Sequence, residues 1–344
     1  MIKSTYIAII LTDFNPKKSG ILSTANGLIR QNPLISKEII YSYNNPNFEK
    51  QISVLKLKKI VFSHLEHSNI SKYLNLINPT LVHVGDWSIS YRLNEFKNKK
   101  NLYCLFKLIY CFTRLKIIKP SIVNYNFIFV NKKESELAKK FGFTKSSHID
   151  IGIDIPEKLS NLIFDPYQLT FSGNFDYNPN KEAAIQLIDF FKTLPDNYSL
   201  NIIGFNANNL KDYVQTKNSI RLFNNVESVI DKLNEFRGVY LSFIGYGSGS
   251  KNKILQALGS GCYVIASEES LDLSLANFKE SIFEFNINKK EWKQEVKNHL
   301  ENLILNKDII NEKTHKTNKL VISLRGWKVL SDKFNFLLNE INKK

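Results

Sequence analysis

Residues 246–261 read YGSGSKNKILQALGSG. Gly247 and Gly249 alternate with Ser248 and Ser250, Lys251 and Lys253 follow, and the apolar positions Ile254, Leu255 and Leu258 have helical spacing up to Gly261. Such a stretch can hold an anion: glycine lets a ligand approach the backbone closely, a helix N-terminus offers unpaired N–H groups, and lysines add point charges. It also reads as an ordinary turn ahead of a helix. Its spacing is neither the G-x-x-x-x-G-K-[ST] of ATPase phosphate loops nor G-x-G-x-x-G. In the first half, LVHVGDWSISYRL places His83, Asp86 and Trp87 near the end of an apolar run. Asp86 falls past that run, where a carboxylate can bind a hydroxyl or aid its deprotonation, whereas His83 lies inside it and is read either as a packed strand residue or as a catalytic candidate. The 6 histidines do not cluster and no Asp-x-Asp pair has a Mg²⁺ context, so no metal is expected.

These residues need elements to position them. YIAIIL (6–11), KEIIYSY (37–43), KKIVFSH (58–64), TLVHVG (80–85) and NFIFVN (126–131) are expected strands. TANGLIRQ (24–31), NISKYLNLI (69–77) and KKESELAKKFG (132–142) are expected helices, the last capped by Asn131 and ended by Gly142. Gly20 falls between the first strand and the first helix. The rhythm breaks over 146–168 and then resumes: strands at 168–174, 199–206, 238–245 and 262–267 alternate with helices at 178–194, 226–236 and 252–261. Asn178 followed by Pro179 reads as a cap and a first-turn proline. Helical patterns at 289–306 and 326–341 end the chain. Alternation of this kind implies α/β layers with parallel strands, and 344 residues exceed what one core usually fills. The expected organisation is a Rossmann-like domain over 1–160, a second over 161–325, and a terminal helix over 326–344 that packs back on the first.

The order of LTFSGNFDYNPNKEAAIQLIDFF, LNIIGFN, YGSGSKNKILQALGSGCYVIAS and SLRGWKVL resembles the C-terminal domain of GT-B glycosyltransferases. The branch it is most similar to is glycosyltransferase family 4, enzymes of bacterial surface polysaccharide synthesis. The resemblance covers about 160–330 well and the N-terminal half only in organisation. It implies two Rossmann-like domains facing across a cleft. It further implies transfer of a sugar from a nucleotide-sugar donor to a lipid-linked or growing glycan acceptor, with retention of configuration, for capsule, O-antigen or related polysaccharide. Lys253 matches the lysine directed at the donor diphosphate, Gly247, Ser248 and Gly249 match its phosphate-side turn, and Ser250 and Lys251 are further donor-binding candidates beside it. Gln256 stands where the family usually has a glutamate for the ribose hydroxyls, and Gly204 and the loop of Asn225, Val226 and Glu227 match positions beside the base. GNFDYNPNKEAA lacks the family's R-x-x-x-x-K-G signature, which shifts weight to Lys253 and Lys181, with Gly173, Asn174 and Asn180 near the donor. Gly20 matches a glycine facing the donor phosphates. The departures at Gln256 and in the missing Arg–Lys pair leave open a catalytically inactive, glycan-binding relative. No cofactor is implied, because the nucleotide-sugar is a substrate.

With 47 Lys and Arg against 32 Asp and Glu, the net charge is +15. The excess suits anionic partners, or reflects the AT-rich codons that also supply Asn and Ile. A nucleic-acid-binding protein is the rival class, but the basic residues are spread along the chain and no recognition module is visible. Residues 97–120 mix aromatics and aliphatics with seven cations, as in helices lying on anionic membranes or in core helices with a solvated basic face. Three unpaired cysteines and the absence of a signal-peptide core point to the cytoplasm, with peripheral attachment to the inner face of the membrane open through 97–120.

Overall fold

The computed structural model describes residues 5–12, 20–65, 67, 69–85, 87–156, 163–214, 219–246 and 252–343. The described chain divides into two compact units. The first runs to Gly152 and resumes at Trp327, and the second runs from Ile153 to Gly326.

The first unit alternates β1 (Tyr6–Leu11), α1 (Gly20–Gln31), β2 (Ile35–Tyr41), α2 (Phe48–Ser53), β3 (Lys58–Ser63), α3 (Ile70–Ile77) and β4 (Leu81–Val84). There follow α4 (Ser88–Lys99), α5 (Leu102–Ile122), β5 (Phe127–Phe129), α6 (Lys132–Lys140) and β6 (Ser146–His148). The strands form one parallel sheet in the order β2-β1-β3-β4-β5-β6. All six residues of β1 and all four of β4 are buried, because helices cover both faces of a parallel sheet and leave no side for polar alternation. Asn131 caps α6 by accepting from the Lys133 N–H, and Gly142 after it has φ +88°.

The second unit contains β7 (Gln168–Asn174), α7 (Asn178–Phe191), β8 (Ser199–Phe205), α8 (Lys211–Val214), β9 (Ile220–Asn224), α9 (Val229–Glu235) and β10 (Val239–Ser242). It closes with α10 (Asn252–Gly259), β11 (Tyr263–Ser267), β12 (Ile282–Phe285), α11 (Trp292–Leu305) and α12 (Lys307–Arg325). Its parallel sheet runs β12-β11-β10-β7-β8-β9, the doubly wound order in which the chain reverses direction between β7 and β10. Phe190, Phe243, Phe285 and Trp292 pack ring to ring within its core.

Several sequence expectations need correction. Tyr177, not Asn178, is the N-cap of α7, since its carbonyl accepts from the Asn180 and Lys181 N–H groups and Pro179 enters one position later. Gly20 opens α1 rather than lying between the first strand and the helix. The stretch 97–120 is not one element: α4 ends at Lys99, Lys100 adopts φ +46°, and Asn101 caps α5 by accepting from the Cys104 N–H. The strands β6, β9 and β12 and the helices α2, α4 and α12 carried too weak a periodicity to be read as elements.

The last helix, α13 (Trp327–Asn342), belongs to the first unit and packs on α1. A Cβ on Gly27 would fall 2.1 Å from the Trp327 ring, and one on Gly152 would fall 2.3 Å from it, so the indole sits directly on two bare backbones. Asn32 donates to Asn335 at 2.6 Å, and Lys58 donates to Asn342 at 2.7 Å, fixing the helix farther along. Trp327→Ala is therefore expected to destabilise the first unit by about 3–5 kcal/mol. Phe336→Ala, on the solvent face of the same helix, should stay within about 0.5 kcal/mol. Urea unfolding followed by far-UV circular dichroism separates the two.

Candidate functional site

In a doubly wound sheet the helices leaving the two strands at the reversal of order go to opposite faces, and a crevice opens at the strands' C-terminal ends. Here those strands are β7 and β10, paired through Val239 with Leu169 and Tyr240 with Thr170. The buried hydroxyls of Ser172 and Tyr240, 3.0 Å apart, add a side-chain tie between them, and burial pushes the Tyr240 phenol well above its ordinary pKa. The helices that leave them are α7 and α10, and both N-termini therefore lie at this crevice with their partial positive charge.

Each helix supplies a polar side chain from its first turn to a shared contact. Asn180 is buried, 3% exposed, with its amide Nδ2 donating to the Asn174 carbonyl at 2.8 Å. Its Oδ1 accepts from the Lys253 ammonium. Lys253 is half-buried, with Nζ 6.0 Å from the centroid of the Phe171 ring. One amide thus joins the end of β7, the start of α7 and the start of α10. Gly173 lies under it, since a Cβ there would come 3.0 Å from the Asn180 amide nitrogen.

Gly173 pairs with Gly204 across β7 and β8. Gly204 has φ +142°, and a Cβ on it would fall 1.9 Å from the Gly173 carbonyl oxygen, so no other residue fits. The Gly204 carbonyl accepts from the Asn225 N–H at 2.9 Å, which brings the loop carrying half-buried Val226 to the end of β8. Asp176 ties this side together by accepting from Asn206 at 2.8 Å and Asn209 at 3.2 Å. Gln256 follows Lys253 by three residues on α10. Both are half-buried, whereas Ile254, Leu255, Ala257 and Leu258 are buried, so the pair shares one face. Lys181 follows Asn180 in the first turn of α7 and is half-buried.

The structure therefore gathers Gly173, Asn174, Asn180 and Lys253 at one point of the sheet, and Gly204 and Val226 at the adjoining strand ends. Asn180 itself turns out to be enclosed, acting on Lys253 rather than facing outward. Gly247, Ser248, Gly249, Ser250, Lys251 and Asp86 lie outside the described residues. Sequence reasoning missed Asp176 and the contact of Tyr246 with Glu182, whose Oε1 accepts from the phenol at 3.3 Å. Only the position of Tyr246 next to the glycine–serine stretch in the sequence signalled it. Among the described residues no three His, Cys, Asp or Glu side chains gather as a metal site.

No protein-family model and no curated protein sequence matches the chain. Solved structures do. A glycosyltransferase from Rickettsia africae aligns over 99% of this chain and 100% of its own at 13% identity, with a TM-score of 0.62. Anabaena HepE in complex with UDP aligns over 97% of this chain and 99% of its own at 10% identity, with a TM-score of 0.68. Sucrose-phosphate synthase from Thermosynechococcus elongatus aligns over 98% and 99% at 11% identity, also with a TM-score of 0.68. The likeness is one of fold: the chain has the α/β GT-B architecture of these proteins.

His83 is withdrawn from the catalytic candidates. It sits in mid-strand on β4, opposite Ile128 and beside the Phe62 ring at 5.1 Å, and is 3% exposed. Burial lowers its pKa from 6.5 to about 4, so the ring is neutral in the fold. A folded pKa below the unfolded value means the unfolded chain binds more protons between pH 6.5 and 4, so stability falls as the pH falls through that window. His299, partly buried against Phe283 and Tyr263, is lowered to about 4 as well and adds to the same slope. Denaturation at a series of pH values should show this loss, and His83→Gln should reduce the slope by about one proton.

Proposed function

We propose that this protein is a glycosyltransferase that takes a sugar from a nucleoside-diphosphate donor bound to its second unit. The observation that carries the proposal is Lys253, held by Asn180 where the strand order reverses in a sheet of GT-B type. An ammonium fixed beside two helix N-termini stabilises charge developing on a departing diphosphate without reorganising at the moment of reaction. HepE structures containing UDP and UDP-glucose support a nucleotide-sugar reading for this fold. Gly204 and the Asn225–Glu227 loop would flank the base, and Gln256 would meet the ribose, its amide able both to donate to and to accept from a diol. The residues Gly247 to Lys251 would supply further N–H groups to the phosphates.

The acceptor is proposed to be a lipid-linked or growing glycan of a bacterial surface polysaccharide, such as capsule or O-antigen. A crystal structure of WaaG, a glycosyltransferase of lipopolysaccharide biosynthesis, matches over 96% of this chain at 9% identity, which supports that class. Asp86, two residues past the last residue of β4, is the candidate for handling the acceptor hydroxyl. Transfer is proposed to proceed with retention, without a metal and without a cofactor.

Thermal shifts against UDP, GDP, CMP and their sugars identify the donor, because a ligand of the folded state raises the melting temperature. With that donor, Lys253→Ala is expected to lower the transfer rate per folded molecule by about 10²–10³-fold, with a lowered melting temperature because the buried Asn180 Oδ1 loses its donor. Wild-type turnover in that variant would reject the site. Asn180→Ala should act through the same lysine. Added to Lys253→Ala it should cost much less than it does alone, a non-additivity that a separate structural role would not produce. Transfer should persist in EDTA. Donor binding without transfer or hydrolysis would instead mark an inactive, glycan-binding relative.

A further inference from the structure

Helix α5 is apolar on two opposite sides. Cys104, Leu108, Leu115 and Ile122 are buried and form the side packed on the first unit. Leu102, Tyr103, Phe106, Ile109, Tyr110 and Ile117 are each at least half exposed, from 50% at Ile109 to 72% at Ile117. At about 100° per residue these six fall in one sector of about 120°, directly away from the core. An exposed stripe of this size has no role in folding, and soluble surfaces rarely retain one without a partner.

The cations around the stripe indicate the partner. Lys107 and Arg114 line one border, Lys116 lies on the other, and Lys97, Lys99 and Lys100 precede the helix. No Asp or Glu occurs from 97 to 133. Lys107 holds its ammonium 4.0 Å from the centroid of the exposed Tyr103 ring, and Arg114 donates to the His67 carbonyl at 2.9 Å and to the Tyr110 hydroxyl at 3.4 Å. Two tyrosines at the border of the apolar sector suit a boundary between oil and water. A second copy of the chain would oppose cations to cations, which disfavours self-association. Among the described residues no helix is long and apolar enough to cross a membrane, so the helix would lie on a bilayer rather than span it.

We propose that α5 is a docking face for an anionic lipid bilayer, with its six exposed apolar residues inserted at the acyl boundary and the flanking lysines among the headgroups. This goes beyond the sugar-transfer reading and does not depend on it. Such a helix binds through buried apolar area together with attraction to anionic lipid, so both terms must be detectable separately.

The test is co-sedimentation of the full chain with phosphatidylcholine vesicles, with and without phosphatidylglycerol. Binding is expected only with phosphatidylglycerol, and should fall as salt rises from about 0.1 M to about 1 M and the Debye length shrinks from about 10 Å to about 3 Å. Lys99→Glu with Lys100→Glu should weaken binding by about fivefold or more per position. Phe106→Ser with Ile117→Ser should abolish it, while melting and circular dichroism stay as in the wild type, since neither side chain is in the core. Equal binding to both vesicle types, no binding to either, or unchanged binding by the Phe106 and Ile117 variant would overturn the proposal. So would a concentration-dependent dimer that dissociates in that variant, which would assign the face to a second copy of the chain.

Discussion

The second unit is organised around a single side-chain amide. Asn180 donates to the Asn174 carbonyl with one end and accepts from the Lys253 ammonium with the other, and it is buried while doing so. A buried amide must satisfy both ends, and a half-buried ammonium needs acceptors to offset lost hydration. Each requirement meets the other here, and the outcome is a lysine with a fixed position at the mouth of the sheet. The surrounding features serve that arrangement. Gly173 leaves room beneath the amide, Gly204 lets β8 pass close to β7, and the loops after β7, β8 and β9 are tied to each other through Asp176, Asn206 and Asn225. A charge held in place in this way needs no reorganisation to meet an anion.

The two units use the same alternation of strand and helix to different ends. In the second, the order β12-β11-β10-β7-β8-β9 puts the reversal between β7 and β10, and the polar residues of interest follow those strands. In the first, the order β2-β1-β3-β4-β5-β6 puts the reversal between β1 and β3, which is where α1 begins at Gly20. His83 is one strand further along and inside the sheet rather than past its end, so it packs. Position relative to the strand terminus, more than residue type, separates a site residue from a core residue in this architecture. Helix α5 differs from the other helices of the first unit in that its outward side is apolar with a basic border while its inward side already packs in the core.

Much of this was legible in the order of residues. Buried parallel strands must be continuously apolar, so β1, β3, β4, β7, β8, β10 and β11 stood out as runs bounded by turn residues. The Asn131 cap and Gly142 were readable because capping is settled within a few residues of chain. Lys253 stood out because a lysine between a glycine–serine stretch and a helical pattern can hold an anion, and the order of the segments around it resembles that of GT-B glycosyltransferases.

What sequence left open shares one cause: it depended on residues far away along the chain. NPN offered two asparagines, and only the approach of Lys253, 73 residues later, showed that Asn180 is the bridge and Asn178 an exposed first-turn residue. The burial of His83 was set by β5 and Phe62 on either side of it. Short or weakly patterned elements such as β6, β9 and β12 exist because a neighbouring strand supplies their hydrogen bonds, not because their own residues demand extension. The exposure of Phe106 and Ile117 could not be told from burial by composition alone, since both sides of α5 are apolar and only packing chooses which one faces the core. Local chemistry therefore determined which elements form and which residues are able to react, while tertiary packing decided which of those residues meet, because a side chain's partners and dielectric surroundings come from segments that its own stretch of sequence does not contain.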